Sequence, residues 1–433
     1  MSHAALRVGI CGVGTVGLAT LEILRGQSLL LTARCGQSLS VTCVGSRREH
    51  PDHDYGDARV SRDVMDVARD PEVDVLVELI GGTSVAYDLI KLAIEQGKHV
   101  VTANKALIAE HGNELIAMAE SAGVQIRFEA AVAGGIPIIK ALREAVAANQ
   151  VSEVAGIING TGNFILTEMT TKGRAFDDVL SEAQTLGYAE ADPTYDIDGT
   201  DAAHKLVILA SLAFGIPLNI DAPVKHGIQE VTPADLEYAG ELGYRVKHLG
   251  IARQKDAGIE MRVHPTLIPE SKQLANVDGV LNAVMVVGDA VGELVLVGAG
   301  AGGAATASSV CADLIDIARN PAGSGPALGV PAAQLTAKPL VPAGDIASEW
   351  YVRLTAADQP DVTAKISQIL TSRDIGIASL VQKPSSADEG KAPIVLLTQI
   401  ARESVMTQAI DEICGLVETD PDVAVLRVES FDH

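Results

Sequence analysis

Aromatic side chains are scarce, 3% of 433 residues with a single tryptophan. So small a stock leaves little for a base-stacking surface or an aromatic-anchored interface. Positive charge is also short: Lys and Arg number 33 against 56 Asp and Glu, a formal charge of −23. The mean field therefore repels nucleic acid and anionic membranes, and neither is an expected partner. The five cysteines are Cys11, Cys35, Cys43, Cys311 and Cys414. Their odd number and the lack of CxxC spacing indicate neither a disulfide framework nor a zinc site. A reduced, cytoplasmic setting is expected. No apolar stretch reaches the ~18 residues of a membrane span, and no basic segment followed by an apolar run suggests a signal peptide.

What is plentiful is aliphatic. Apolar residues make up 47% of the chain and there are 41 glycines, too apolar a mixture for disorder and suited to the buried parallel strands of an α/β protein. The length predicts two to four domains. LRVGIC (6–11) reads as a buried strand, followed by glycines and a helical pattern from Val16 to about Leu24. Further strands are predicted at 40–45, 73–79, 98–103 and 124–130, with helices at 85–96 and 105–121. That alternation means βαβ units and a parallel sheet. From about 137 the rhythm changes to a helix at 137–148, a strand at 151–158, the polar loop NGTGN and two helices. A loop rich in Gly, Asp and Pro (187–200) leads into an apolar helix at 201–214. Strands at 259–268, 280–287 and 293–297 suggest a second domain of α+β character. Residues 298–319 are glycine-rich and then helical, and 320–347 read as a linker. The remainder has the βαββαβ order of a ferredoxin-like unit over 349–433.

Gly12-Val13-Gly14-Thr15-Val16-Gly17 is GxGxxG directly after a strand and opening a helix. The first Gly makes the tight turn, the second lets backbone approach a pyrophosphate on the helix N-terminus, and the third lets helix pack on strand. Gly12, Gly14, Thr15, Val16 and Gly17 are therefore dinucleotide-binding candidates, the alternative being a glycine-rich structural turn. The second strand runs into Gly45-Ser46-Arg47-Arg48, where an NAD enzyme usually carries Asp or Glu. Two guanidiniums, Arg47 and Arg48, suit a 2′-phosphate, so NADP(H) is expected over NAD(H); the alternative is a solvated pair. His50, Asp52, His53 and Asp54 could ligate a metal but read better as a solvated loop. Asp201 and Lys205 share one helix face, one turn apart. They face a loop carrying Glu190, Asp192, Asp196 and Asp198. On so apolar a helix the pair looks like a site in which a lysine protonates a reacting oxygen, although a surface ion pair has the same spacing.

The run from Glu182, EAQTLGYAEADPTYDIDGTDAAHKL, closely resembles the signature of homoserine dehydrogenase. So do IINGTGNFIL (157–166), HVVTANKAL (99–107) and EAAVAGGIP (129–137). The resemblance covers essentially the whole chain. It implies NAD(P)-dependent interconversion of L-homoserine and L-aspartate 4-semialdehyde, in threonine, methionine and isoleucine biosynthesis. It makes Lys205 the proton donor or acceptor, sets Glu190 and Asp201 against homoserine, and gives Lys105 a cofactor contact and a share in the chemistry. Thr161, Tyr188 and Asp196 become lesser substrate contacts, and Gly187 and Gly302 approach the nicotinamide cofactor. A monovalent cation, commonly sodium, is implied at Glu129, Val132, Gly134 and Ile136.

The implied domains are an NAD(P)-binding Rossmann domain (1–135 plus 299–320), a catalytic and dimerisation domain (136–298), a linker (321–347) and an ACT-like regulatory domain (348–433). L-threonine is the usual effector of that last module, and a homodimer or homotetramer is expected. Here Asp358-Gln359-Pro360-Asp361 has Asp where such turns commonly carry Gly, which adds bulk and negative charge near a carboxylate ligand. Three rivals remain. Aspartate-semialdehyde dehydrogenase needs a cysteine nucleophile, and neither Cys11 nor Cys311 stands beside a His and a substrate loop. A nucleotide-holding amino-acid sensor would not retain Lys205, Asp201, Glu190 and Lys105 together. Another NADP-dependent amino-acid dehydrogenase of the same layout differs only in substrate.

Overall fold

The computed structural model describes residues 5–48, 53–323, 325–383 and 390–432. They divide between two compact units, Met1–Ile158, Asp201–Pro223 and Leu281–Lys338 in the first and Asn159–Thr200, Val224–Val280 and Pro339–His433 in the second. The boundaries expected at 135/136 and 298/299 fall inside the first unit. Among the described residues no helix is long and apolar enough to cross a membrane.

The chain opens with β1 (Leu6–Cys11), α1 (Thr15–Gly26), α2 (Ser28–Cys35), β2 (Leu39–Gly45), β3 (Arg59–Ser61) and α3 (Val64–Arg69). It continues through β4 (Val75–Glu78), α4 (Ser84–Glu95), β5 (His99–Thr102), α5 (Lys105–Ala122) and β6 (Ile126–Arg127). The strands form one parallel sheet in the order β3-β2-β1-β4-β5-β6. β1 and β4 are almost wholly buried, as strands covered on both faces must be. On α1, Gly17, Thr20, Leu21 and Leu24 fall on one face and are buried. Leu21 and Leu24 join Val8, Ile10, Val44, Val77 and Leu314 in the core. The order reverses between β1 and β4, the crevice where open α/β sheets take their ligands.

Several details depart from the sequence reading. β6 is only two residues long rather than 124–130, because Glu129–Ala131 wind into a 3-10 turn. The helix expected at 137–148 is a short α turn, α6 (Ile138–Lys140), followed by a π turn at Ala141–Ala145. α2, β3 and α3 were not foreseen. α2 hides its leucines because it buries only Leu31 and Cys35, too short a pattern to register as a period.

The next elements are β7 (Val151–Ile157), α7 (Gly160–Lys172), α8 (Phe176–Thr185), α9 (Thr194–Ile197) and α10 (Thr200–Phe214). Then come β8 (Val224–Lys225), α11 (Pro233–Glu241), β9 (Tyr244–Lys255), β10 (Gly258–Pro269), β11 (Leu281–Gly288), β12 (Gly292–Ala299) and α12 (Gly303–Arg319). In the first unit β12, β11 and β7 form antiparallel pairs. α10 is buried on nearly every side, which is why it reads as almost continuously apolar. α12 packs on α1: a Cβ on Gly303 would stand 3.1 Å from Thr15.

The last segment supplies β13 (Ala347–Ala357), α13 (Pro360–Thr371), β14 (Ile377–Gln382), β15 (Lys391–Thr398), β16 (Ala401–Arg402), α14 (Glu403–Cys414) and β17 (Ala424–Val428). This is the expected βαββαβ unit, with its strands ordered β17-β13-β15-β14. It is not a separate sheet, however. β17 pairs in parallel with β10 through Thr266↔Arg427 and Leu267↔Val428, so the second unit has a continuous β9-β10-β17-β13-β15-β14 path. One face of the module buries Val352, Leu354, Ile366, Leu396 and Ile413. On the other face Tyr351, Val395 and Leu426 pack with Ile165, Leu166 and Leu236. Nor is 320–347 a free linker: Thr336 donates its N–H to Gly215 O at 3.0 Å in the first unit, and Ile259 donates to Pro339 O at 2.8 Å in the second.

Candidate active site

The glycine turn assigns its three residues three different duties. Gly12 has φ +97°, and a Cβ there would stand 2.5 Å from Leu79 O. A Cβ on Gly17 would lie 2.1 Å from Gly12 O, so α1 can approach the turn only without a side chain. Gly14 faces open space, with nothing within 4 Å of such a Cβ; that is the position at which a ligand can approach bare backbone. Gly14 is the N-cap of α1 and makes no side-chain cap bond, so Thr15 and Val16 begin the helix there. A second N-terminus converges on it. Gly302, φ +106° with open space around it, caps α12, whose next residue touches Thr15. Two helix starts at one turn favour an anion.

At the end of β2, Arg47 and Arg48 are both exposed. Ser46 Oγ donates to Arg48 O at 3.0 Å, and Arg62, which the sequence reading passed over, donates to Arg48 O at 2.6 Å and Ser46 O at 3.3 Å. The Arg62 guanidinium thus binds the backbone of the turn that carries Arg47 and Arg48. Arg62 lies beyond β3, which pairs with β2, so only the sheet register connects it to Arg47. Of the four metal-ligand candidates nearby, His50 and Asp52 lie outside the described residues. Asp54 pairs with Arg25 at 3.2 Å. Among the described residues no group of three or more His, Cys, Asp or Glu could hold a metal.

Further along the same edge of the sheet, Glu78 ends β4 fully buried. Its carboxylate accepts from Ile80 N at 2.8 Å, Gly81 N at 3.0 Å and Thr102 Oγ1 at 2.6 Å, tying the ends of β4 and β5 together. Asn104 then caps α5 by accepting from Leu107 N. Lys105 is therefore the first residue of α5, where the helix dipole disfavours a cation, and it is held by Asp201. Its Nζ is 2.9 Å from Asp201 Oδ1, and Lys205 Nζ is 2.6 Å from Oδ2. Lys205 also donates to Ile158 O at 2.7 Å. Burial works against ionisation of Asp201, but the two ammoniums outweigh it and hold the carboxyl well below the usual carboxylate range. One buried carboxylate between two lysines is locally cationic and suits an oxygen that becomes negative.

The other substrate candidates belong to the second unit. Thr161 is buried, and its hydroxyl donates to Tyr188 O at 2.7 Å. The Tyr188 ring packs edge-on against Phe164, with centroids 5.2 Å apart. Asp196 accepts from Asn159 Nδ2 at 2.8 Å, while Asn159 Oδ1 caps α7 by accepting from Gly162 N. Gly187 has φ +76° and open space around it, and the Glu190 side chain lies on an exposed residue. Of these five, Thr161 and Tyr188 meet directly and Asp196 is tied to the start of α7 through Asn159, all in the second unit, while Lys105, Asp201 and Lys205 meet in the first. Asp361 is at the start of α13, ion-paired with Lys365 at 3.1 Å.

Glu129 is buried, and its two oxygens accept from Ile139 N at 3.0 Å and Lys140 N at 2.8 Å. Its own N–H donates to Asp313, another residue the sequence reading missed. Burial, reinforced by the Asp313 charge, pushes Glu129 up to about 8, and burial pushes Asp313 up to about 7. Burial outweighs the Arg143 charge that reaches both carboxyls and the Arg127 charge that reaches Asp313. The loop between Val132 and Ile136 turns through Ala133 (φ 54°) and Gly134 (φ 40°), whose Cβ would strike Gly300 O at 2.5 Å. Of the carbonyls on this loop, Gly134 O accepts from Ser309 Oγ at 2.6 Å and Ile136 O from Ile138 N at 2.8 Å, so a cation here would share these oxygens with existing hydrogen bonds.

Two family models match the chain: "Homoserine dehydrogenase, NAD binding domain" over residues 12–129 and "Homoserine dehydrogenase" over 137–315. The homoserine dehydrogenase of Pseudomonas aeruginosa is 51% identical over 431 residues, 99% of each chain. A crystal structure of a homoserine dehydrogenase from Thiobacillus denitrificans superposes with a TM-score of 0.93 at 48% identity, covering 99% of both chains. A hyperthermophilic archaeal homoserine dehydrogenase in complex with NADPH matches 72% of this chain and 97% of its own, with a TM-score of 0.63 and 30% identity.

Proposed function

This chain belongs to the homoserine dehydrogenase family, and from that premise we propose how its residues divide the work. It is an oxidoreductase acting on the CH–OH group of L-homoserine, or in reverse on L-aspartate 4-semialdehyde, with a nicotinamide cofactor. When bound, the reduced cofactor supplies the hydride. The residues do the rest. Gly12, Gly14 and Gly17 clear the backbone for its pyrophosphate, and the starts of α1 and α12, at Thr15, Val16 and Gly302, offer N–H groups and favourable dipoles. Lys205 Nζ stabilises the negative charge that builds on the carbonyl oxygen and delivers the proton; in the oxidative direction it takes the proton back. Asp201 keeps Lys205 protonated and aimed, and offers its carboxylate to the substrate ammonium. Lys105 balances Asp201 on its other oxygen and adds positive potential at the edge of the sheet where the cofactor lies. Glu190, Thr161, Tyr188, Asp196 and Gly187 are read as substrate and cofactor contacts from the second unit.

The observation that carries this reading is the Lys105–Asp201–Lys205 arrangement on the same sheet edge as the glycine turn. The direct assay is reduction of L-aspartate 4-semialdehyde, followed by NADPH absorbance. The same assay tests cofactor choice. Arg47, Arg48 and Arg62 suit the 2′-phosphate of NADP(H). The Arg47→Ala/Arg48→Ala enzyme is expected to bind NADPH about 10–100-fold more weakly, the worth of one or two charge-assisted hydrogen bonds. KM for NADH should move little. Equal losses for both cofactors would remove the 2′-phosphate role.

A monovalent cation, sodium for preference, is read at Glu129 with the carbonyls of Val132, Gly134 and Ile136. It would offset the buried charge of Glu129 and Asp313 and fix the loop that leads into α6. The melting temperature is expected to rise in NaCl relative to choline chloride at equal ionic strength, as a ligand of the native state requires. Glu129→Gln should lose that difference. Identical melting curves of the unaltered protein in the two salts would count against the site.

A further inference from the structure

Near the start of β11 lies a polar side chain that its fold alone does not account for. Asn282 is 1% exposed, yet neither its Nδ2 nor its Oδ1 has a hydrogen-bond partner among the described residues. The donors and acceptors of a buried side-chain amide are almost always taken up. Each bond left unmade costs free energy, and a Leu of similar shape would avoid that cost.

Its place is between two parts of the reaction machinery, all within the first unit. Asn282 precedes Ala283, which pairs with Ile157 of β7, and the next carbonyl on that strand, Ile158 O, holds Lys205 at 2.7 Å. On its other side Asn282 pairs with Gly298 of β12, from which the chain passes to Gly302 at the start of α12. A Cβ built on Gly300 would stand 2.1 Å from Asn282 Cγ, 2.1 Å from Nδ2 and 2.3 Å from Oδ1. Near-equal distances to three coplanar atoms put Gly300 over the flat face of the amide, so the bonding edges of the amide point past it. The segment is fastened on a different side: Gly135 N donates to Ala299 O at 2.9 Å, and a Cβ on Gly134 would meet Gly300 O at 2.5 Å. Residues 299–302 are thus bonded to the 133–135 turn and merely stacked on Asn282. A peptide group carries the pair that this amide lacks, a C=O for Nδ2 and an N–H for Oδ1. A small rotation of the Gly300–Ala301 peptide would present both.

We propose that Asn282 is a positioning residue for the dinucleotide: with cofactor against Gly302, the 299–302 segment shifts and its peptide groups pair with the Asn282 amide. This rests on the reading of Gly302 as a cofactor contact. Binding then satisfies an amide that is otherwise unpaired, so part of the affinity for NADPH comes from a side chain that never touches it. Asn282→Leu separates this role from packing. Without cofactor the variant should melt about 2 °C higher than the unaltered protein, because two unsatisfied atoms are gone. It should nevertheless bind NADPH, followed by the fluorescence of the nucleotide, about 10-fold more weakly. KM for NADPH should rise with kcat little changed, as for an interaction made equally in ground and transition states. Asn282→Ala, which cannot overfill the site, should lose the same affinity. A residue that serves packing alone would lose stability on substitution and keep its affinity, and that result overturns the proposal. So does an Asn282→Leu protein that binds NADPH as tightly as the unaltered one. Failure of the unaltered protein itself to bind NADPH would overturn the cofactor reading, and this proposal with it.

Discussion

Lys205→Ala is expected to lower kcat for semialdehyde reduction by about 10³-fold, within the 10²–10⁴ range of a positioned general acid. The Nζ lies 2.6 Å from Asp201 Oδ2 and 2.7 Å from Ile158 O, with the side chain 12% exposed. Water replacing it would meet the new alkoxide without a positioned charge, so both the electrostatic and the proton-transfer contributions go. The fold should survive, since Asp201 keeps Lys105 at 2.9 Å. The glycine turn stands at the end of another strand, so affinity for NADPH, read from its fluorescence, should change less than threefold. That division between kcat and cofactor binding marks a group that acts in the chemistry and not in assembly. Lys205→Arg keeps the charge but not the compact donor, and should recover only part of the rate. Turnover within threefold of the unaltered enzyme would take the proton-transfer role away from Lys205.

The features of this site that were legible in the sequence are local ones. GxGxxG needs only adjacent residues, and Asp201 and Lys205 need only one helical turn. What escaped depends on pairing across long stretches of chain. Arg62 reaches Arg48 because β3 lies beside β2, and Asp313 meets Glu129 across 184 residues. Glu78 reads as the last polar residue of a strand, yet it is fully buried and ties the ends of two strands together. β9 was invisible for a different reason. Lys247 and His248 interrupt its apolar pattern, but both are buried, Lys247 donating to Val277 O at 2.7 Å and Asp278 at 2.8 Å. A strand that satisfies its polar residues inside the protein shows no alternation of period two. α11 was missed although Thr232 and Asp235 form a capping box at its start with Pro233 at the first turn; Asp235, the third helical residue, is fully buried because it also takes Arg353 from β13 at 2.6 Å. The ferredoxin-like order of the last segment was readable, but its junction with β10 was not, since two registered residue pairs at β17 leave no trace in composition.

Asp201→Ala is expected to cost about 3–5 kcal/mol of stability, the usual penalty for stripping the partner from a buried charge. Here one side chain serves two cations. Its loss leaves the Lys105 and Lys205 ammoniums, each within 3 Å of the vanished carboxylate, to repel one another. Asp201→Asn keeps the shape and an acceptor oxygen, so it should cost less than the alanine variant while removing the same charge. The pH dependence follows from the direction of the Asp201 shift. Its carboxyl is held well below the usual range because Lys205 and Lys105 overcome burial. A group depressed in the folded state stabilises fully above its unfolded pKa, and that contribution fades only as pH falls toward the folded value. The stability gap between the unaltered protein and Asp201→Asn should therefore stay constant from about pH 5 to pH 8 and narrow below about pH 4, the unfolded carboxyl range. In turnover the alkaline limb should move to lower pH, because Lys205 without its counter-charge gives up its proton more readily. Denaturant melts at pH 7 and pH 3.5, with a pH–rate profile, test both halves. A gap that widens in acid, or an unmoved alkaline limb, would mean that the two lysines do not depend on Asp201 for their charge.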